Sequence, residues 1–223
     1  MNPASDYDPA EARQRMVDSQ IARRGIRSPR LLQALRSVPR ERFVAPDLHE
    51  WAYEDRPLPI AEGQTISQPY IVALMLEAAG IGPDDTVLEV GAGSGYAAAV
   101  LSRIARRVCA IERHASLADS ARERLAALGF DNVELRCGDG SLGWPGDLRF
   151  DAIVVSAAGP EVPPSLISQL APGGRLVMPV GAPQEQRLVK LSRRDDGRLL
   201  RTDLCAVAFV ALVGQEGWPV RQS

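Results

Sequence analysis

The segment "TVLEVGAGSGY", Thr86 to Tyr96, constrains this chain more than any other. A short, mainly apolar run (86–90) reads as a strand, three glycines follow at alternate positions, and an alanine-rich helical run starts at once. Glycine lets the backbone turn tightly at a strand end and approach a ligand, while the first N–H groups of the helix beyond face the same point. A strand, a glycine turn and a helix in this order commit the chain to an α/β arrangement, and the rest of the sequence repeats the alternation. Strands are expected at 108–112 ("VCAIE"), 133–137 ("VELRC"), 150–158 ("FDAIVVSAA") and 175–180 ("RLVMPV"), with helices over 94–107, 115–129 and 164–174. Strands that are apolar along their length and separated by helices belong in a parallel sheet covered on both faces. The runs 187–194 and 204–213 have only a turn near Asp195–Gly197 between them and read as an antiparallel pair.

Upstream, helices are expected over 9–24 and 28–36, the first stopped by Gly25 and the second started by Ser28-Pro29. Residues 37–69 are rich in proline and glycine without a clean period, with room for a short ribbon, and a further helix covers 69–80. The predicted fold class is therefore α/β: a doubly wound, mostly parallel sheet with an N-terminal helical extension and an antiparallel C-terminal strand pair. Residues 1–68 are read as helices and a covering loop and 69–223 as the sheet domain, together forming one compact unit, as a length of 223 residues suits.

The spacing of the glycines bears on the ligand. A dinucleotide fingerprint requires G-x-G-x-x-G, whose third glycine would fall at Tyr96; here Gly91, Gly93 and Gly95 run G-x-G-x-G. Glu89, inside the preceding strand, would repel a pyrophosphate but would suit the ammonium of a methionine moiety or a sulfonium. Glu112 ends the next strand about 20 residues after the glycines, where a ribose diol would lie. Asp139 and Gly140 of "CGDGS" follow the third strand, where a carboxylate can accept from an adenine amino group. Singly, Glu112 is an ordinary strand end and Asp-Gly an ordinary turn. Together, at neighbouring carboxyl ends beside a glycine turn, they favour S-adenosylmethionine, with S-adenosylhomocysteine as product, over NAD.

Ahead of the 69–80 helix lies "GQTISQP". Ser and Thr before a helical run usually cap it, and Pro69 suits the first helical position. The sharper reading is a hydroxyl aimed at a ligand. Elsewhere the chain excludes classes. A net charge of −2 and a pI near 5.8 give no basis for nucleic acid or an acidic membrane. No window approaches the roughly 18 apolar residues of a membrane span, and the first residues form no apolar signal core. A soluble, cytoplasmic protein is expected. Cys109, Cys137 and Cys205 match neither a disulfide framework nor a zinc pattern and are expected to be reduced and mostly buried. His49 and His114 are read as structural or exposed, and no metal site is expected.

The run "AYEDRPLPIAEGQTISQPYIVALM", followed by "VLEVGAGSGY", "CGDG" and "FDAIVVSAA", resembles the protein-L-isoaspartate O-methyltransferase family, from about Met16 to Val213. The resemblance implies methyl transfer from S-adenosylmethionine to the free α-carboxylate of L-isoaspartyl residues in damaged proteins and peptides; separately, a monomer without nucleic-acid or membrane partners is expected. It puts Ser67 beside both methyl group and substrate carboxylate, and Thr65 and Ile66 along the cofactor. It also assigns the cofactor to Glu89, Gly91, Gly93, Gly95, Tyr96, Glu112, Arg113, Asp139 and Gly140. Substrate would lie along Ser156, Ala157 and Ala158 and the last strand at Leu212 and Val213. Gly159 and Ala211 stand where the family usually has proline, which bears on substrate range and leaves open a same-fold methyltransferase acting on a small molecule or peptide natural product. A cofactor-binding domain without catalysis and an NAD oxidoreductase are weaker alternatives, and a further C-terminal region past Ser223 stays open. A carboxylate acceptor with an ordinary pKa near 4 is already ionised, so neither a general base nor a covalent serine intermediate is expected.

Overall fold

The computed structural model describes residues 7–219. The chain enters through α1 (Pro9–Arg15), whose path continues as a π-turn over Met16–Ile21 and a 3₁₀ turn to Arg24, where Gly25 adopts a left-handed conformation. The expected 9–24 helix is thus one helical path of three pitches. Ser28 caps α2 (Pro29–Ser37) by accepting from Leu31 N–H. The irregular stretch after it holds a two-residue ribbon, β1 (Leu58–Pro59) antiparallel to β2 (Thr65–Ile66), and leads into α3 (Pro69–Ala79).

The remaining elements are β3 (Thr86–Val90), α4 (Tyr96–Ser102), β4 (Arg107–Glu112), α5 (Ala115–Ala127), β5 (Val133–Cys137), β6 (Phe150–Val155), α6 (Pro164–Ser168), β7 (Leu170–Val180), β8 (Gln186–Arg193) and β9 (Leu199–Val207). The seven strands β3–β9 form one sheet in the order β5-β4-β3-β6-β7-β8-β9. β5 through β7 in that order are parallel, and β8 and β9 are antiparallel additions. From β3 the chain steps outward to β4 and β5, then returns to β6 on the other side of β3. The carboxyl ends of β3 and β6 therefore flank the point where strand order reverses, which is where open α/β sheets bind ligands.

All five residues of β3 are buried, Glu89 included. Met16, Ile21, Leu31 and Leu35 of the N-terminal helices share one apolar core with Val72 of α3 and Leu101 of α4. Among the described residues no helix is long and apolar enough to cross a membrane.

Several boundaries move from their sequence expectation, each for a local reason. α4 ends at Ser102 because Asp85 O captures the N–H groups of Arg106 and Arg107 (3.1 and 3.3 Å) and turns the chain into β4. The helix expected over 164–174 stops at Ser168. Gln169 turns its side chain to Trp144, accepting from Trp144 N–H (2.9 Å) and donating to Trp144 O (2.6 Å), and β7 begins at Leu170. The ladder of β6 ends at Val155 rather than 158.

The last strand was expected over 204–213, whereas β9 spans Leu199–Val207. Beyond it the Gln186 side chain accepts from Phe209 N–H (2.6 Å) and donates to Phe209 O (3.0 Å), taking the place of a neighbouring strand. The chain then peels off the ladder toward Ala158, whose N–H donates to Val210 O and whose carbonyl accepts from Leu212 N–H, both at 2.8 Å. Of the cysteines, Cys109 alone is buried; Cys205 is half-buried and Cys137 exposed, because β5 is an edge strand.

Candidate active site

A cleft opens over the carboxyl ends of β3, β4 and β6, with residues 64–67 and 210–213 in its walls. The glycine turn forms its floor. The N–H groups of Gly91 and Ala92 both donate to Ile111 O (2.8 and 3.1 Å), locking the turn against β4. Gly91 and Gly93 line the cleft, as does Tyr96, the first residue of α4. Gly95 is not among the residues that line it. Its φ is +89°, and a Cβ there would meet Ala121 Cβ at 3.3 Å and Leu125 Cδ1 at 3.4 Å. The third glycine therefore serves the close packing of α4 on α5.

Glu112 is buried at the end of β4. Its Oε2 accepts from Gly93 N–H and its Oε1 from His114 N–H, each at 2.9 Å, so one carboxylate ties the glycine turn to the start of α5. Arg113 lines the cleft beside it, and so does His114, which the sequence reading set aside. Glu89 is 1% exposed, and its Oε2 has no hydrogen-bond partner among the described residues. Burial pushes its carboxyl well above the ordinary carboxylate range, and the neighbouring Glu112 charge adds to the rise. A buried carboxyl with one unpartnered oxygen in the wall of a glycine-floored cleft suits a positively charged ligand better than an anionic one.

Asp139 is engaged within the fold. It does not line the cleft: its Oδ1 accepts from Ser141 N–H (2.9 Å) and Ser141 Oγ (2.7 Å), and its Oδ2 from Gln215 N–H (2.8 Å). Burial raises its carboxyl, but the bonds from Ser141 and Gln215 outweigh it and hold the group below its usual value. Asp139 thus fastens the C-terminal turn to the sheet. Gly140 does line the cleft, and a Cβ on it would lie 2.4 Å from Val90 Cγ1. Gly140→Ala is expected to cost about 1–3 kcal/mol of stability by overpacking. Thermal denaturation checks this, and an unchanged Tm would contradict the close approach.

A second cleft adjoins the first. Thr65, Ser67, Ser156 and Val210 line both, so these four residues form the wall between them. Ser67 does not cap α3. That work falls to Asp55, whose Oδ1 accepts from Tyr70 N–H (3.0 Å) and whose Oδ2 accepts from Gln68 Nε2 (3.3 Å). The Ser67 hydroxyl has no partner among the described residues.

The expected substrate residues are redistributed. Ser156 reaches the second cleft, but Ala157, Leu212 and Val213 line the first, and Ala158 lines neither because its backbone is spent on the 210–212 segment. The second cleft is instead lined by Pro57, Gln68, Ile71 and residues 206–209, which sequence reasoning missed. The only signal for them was the glutamine opening β8, and it becomes readable once its bonds to Phe209 are seen. Of the two departures from the family pattern, Ala211 lines the first cleft. Gly159 lines neither, and its N–H donates to Pro179 O (3.2 Å), a bond that proline could not make.

Comparison with known proteins agrees with this geometry. The family model for protein-L-isoaspartate(D-aspartate) O-methyltransferase matches residues 11–217. The chain is 57% identical over 210 residues to protein-L-isoaspartate O-methyltransferase 1 of Rhodopseudomonas palustris strain HaA2, covering 94% of this chain and 86% of that one. It is 58% identical over 206 residues to the protein-L-isoaspartate O-methyltransferase of Methylorubrum extorquens strain PA1, covering 92% and 90%. Among solved structures, a protein-L-isoaspartate O-methyltransferase superposes with a TM-score of 0.82 at 29% identity, covering 93% of this chain and 67% of that one. A Plasmodium falciparum β-aspartate methyltransferase in complex with S-adenosyl-L-homocysteine superposes with a TM-score of 0.78 at 25% identity, covering 90% and 98%. On this evidence the chain belongs to the protein-L-isoaspartate(D-aspartate) O-methyltransferase family.

Proposed function

We propose that the chain methylates the α-carboxylate of L-isoaspartyl residues in damaged proteins and peptides, with the first cleft holding S-adenosyl-L-methionine and the second the isoaspartyl side. The observation that carries the division of labour is the shared wall: Ser67 and Ser156 face both clefts at once. S-adenosyl-L-methionine, when bound, supplies an electrophilic methyl carbon on a positively charged sulfur. Gly91, Gly93 and Gly140 would offer it backbone without side-chain obstruction, Glu112 would have lone pairs left for a diol, and Glu89 would meet its positive charge.

The acceptor carboxylate is ionised at neutral pH, so the chain has no proton to remove. What its residues must do is hold that oxygen in line and exclude water. Alignment of this kind can supply about 7–11 kcal/mol. In this reading the Ser67 hydroxyl donates to the carboxylate and fixes its direction without forming a bond to the methyl carbon. The ester formed then cyclises without further help, giving the chain an opportunity to reopen as normal aspartate. Both clefts are built by one chain, which supports a monomer as the acting unit, and the cytoplasm is the proposed setting.

A structure with S-adenosyl-L-homocysteine and an isoaspartyl peptide tests the assignment. The peptide carboxylate should lie in the second cleft within about 2.5–3.0 Å of Ser67 Oγ; a carboxylate outside that cleft would overturn it. Gln186 offers a second check, because it shapes the 206–209 wall through Phe209. Gln186→Ala is expected to raise the peptide KM about tenfold, the order of one or two lost hydrogen bonds, with cofactor KM unchanged. Equal losses for peptide and cofactor would contradict this.

A further inference from the structure

Arg40 is 0% exposed. It sits in the short 3₁₀ turn Arg40–Phe43, and among the described residues it forms no ion pair. Burial lowers its guanidinium to about 10, an effect partly offset by Tyr96, Tyr53 and Asp55, so it stays charged at neutral pH. Its Nε donates to Ala52 O at 2.7 Å and its Nη2 to Ser67 O at 2.8 Å. The guanidinium carbon lies 4.8 Å from the centre of the Tyr96 ring. Nη1 has no partner among the described residues, and neither does the Tyr96 hydroxyl.

Stability alone does not account for such a group. A buried charge is expensive to desolvate, and well-packed apolar residues of similar volume usually serve a core as well or better. What an apolar residue cannot do is hold two carbonyl oxygens at a fixed spacing, as the rigid planar fork of arginine does. Here the two carbonyls are those of Ala52, midway along the irregular covering segment between α2 and α3, and of Ser67 in the wall between the clefts. The aromatic face beneath belongs to the first residue of α4, directly after the glycine turn. One side chain thus locks the covering segment, the wall serine and the glycine-turn helix to one another.

We infer that Arg40 is a positioning residue for methyl transfer, fixing the peptide on which the Ser67 hydroxyl is carried. The inference rests on the orienting role proposed for Ser67. Lysine at this position keeps the charge and can reach one carbonyl, but its single ammonium lacks the planar fork.

The test is a double-mutant cycle of Arg40→Lys and Ser67→Ala. It is read by methyl transfer to an isoaspartyl peptide and by calorimetric binding of S-adenosyl-L-homocysteine. Arg40→Lys is expected to lower kcat about tenfold or more while the peptide KM and the S-adenosyl-L-homocysteine Kd stay within about threefold. In the Ser67→Ala background, the same substitution should lower kcat by less than about twofold, because the group it positions is gone. A full Arg40→Lys loss in that background, with Ser67→Ala itself slow, overturns the Arg40 inference and leaves the Ser67 role standing. A fast Ser67→Ala enzyme overturns both. Wild-type kcat in Arg40→Lys overturns the inference alone. Arg40→Gln is the parallel variant should the lysine protein not fold, and failure of both to fold would make Arg40 a fold determinant and end the proposal.

Discussion

Ser67→Ala is expected to lower kcat for an isoaspartyl peptide by about 10–100-fold while leaving the affinity for S-adenosyl-L-homocysteine within about threefold. A hydrogen bond to a charged group contributes about 1.5–3 kcal/mol, which corresponds to that range of rate if the bond is needed to align the reacting oxygen. The split between turnover and binding follows from where the residue stands. Ser67 lies in the wall of both clefts, its hydroxyl is unused among the described residues, and α3 takes its cap from Asp55 instead. Steady-state kinetics together with calorimetry check this, and an equal fall in kcat and affinity would contradict an orienting role.

Glu89→Gln should act in the opposite sense, on the cofactor before the chemistry. Its buried Oε2 has no partner among the described residues, and burial lifts its carboxyl well above the ordinary range. A raised folded-state value means that the free protein gains stability from neutral Glu89 at acid pH. That contribution is intact below the ordinary carboxylate pKa and is lost as pH rises through the folded value. A cationic ligand favours the ionised form, so affinity for S-adenosyl-L-methionine should strengthen with rising pH over the same window. Glutamine removes both trends. The variant is expected to bind S-adenosyl-L-methionine about 10–100-fold more weakly, the range of a lost charge-assisted bond, and with a flatter pH profile. The free variant should be no less stable than wild type at neutral pH. Calorimetry across pH measures the first effect and thermal denaturation the second; wild-type affinity in Glu89→Gln would contradict the pairing.

The sheet was largely legible because its signals are local. A strand, a glycine turn and a helix repeat with little interruption, and "VLEVGAGSGY" names its own position at a carboxyl end. Glu89, Gly91, Gly93 and Glu112 share one cleft for the same reason, since backbone geometry alone brings strand ends together. Gly95 and Asp139 mark the limit. The sequence spacing of Gly95 is that of a ligand-contacting glycine, but its neighbour in space is α5, twenty-odd residues further on. Asp139 stands at the right strand end, yet its Oδ2 accepts from Gln215, in a turn more than seventy residues away, and its Oδ1 from Ser141. The substrate side was harder still. Residues 206–209 read as one continuous strand, whereas the ladder ends at Val207 and the side chain of Gln186, replacing a neighbouring strand at Phe209, holds the chain beyond it where it lines a cleft. Arg40 carried no readable signal, because nothing in "PRERF" says that its guanidinium will be buried against Ser67 O.

The measurement that tests the whole account most directly is transfer of labelled methyl from S-adenosyl-L-methionine to two peptides of one sequence, one carrying L-isoaspartate and the other normal aspartate at the same position. The expected result is a base-labile methyl ester on the isoaspartyl peptide alone. Tight cofactor binding with no ester on that peptide, or equal methylation of both, would contradict it.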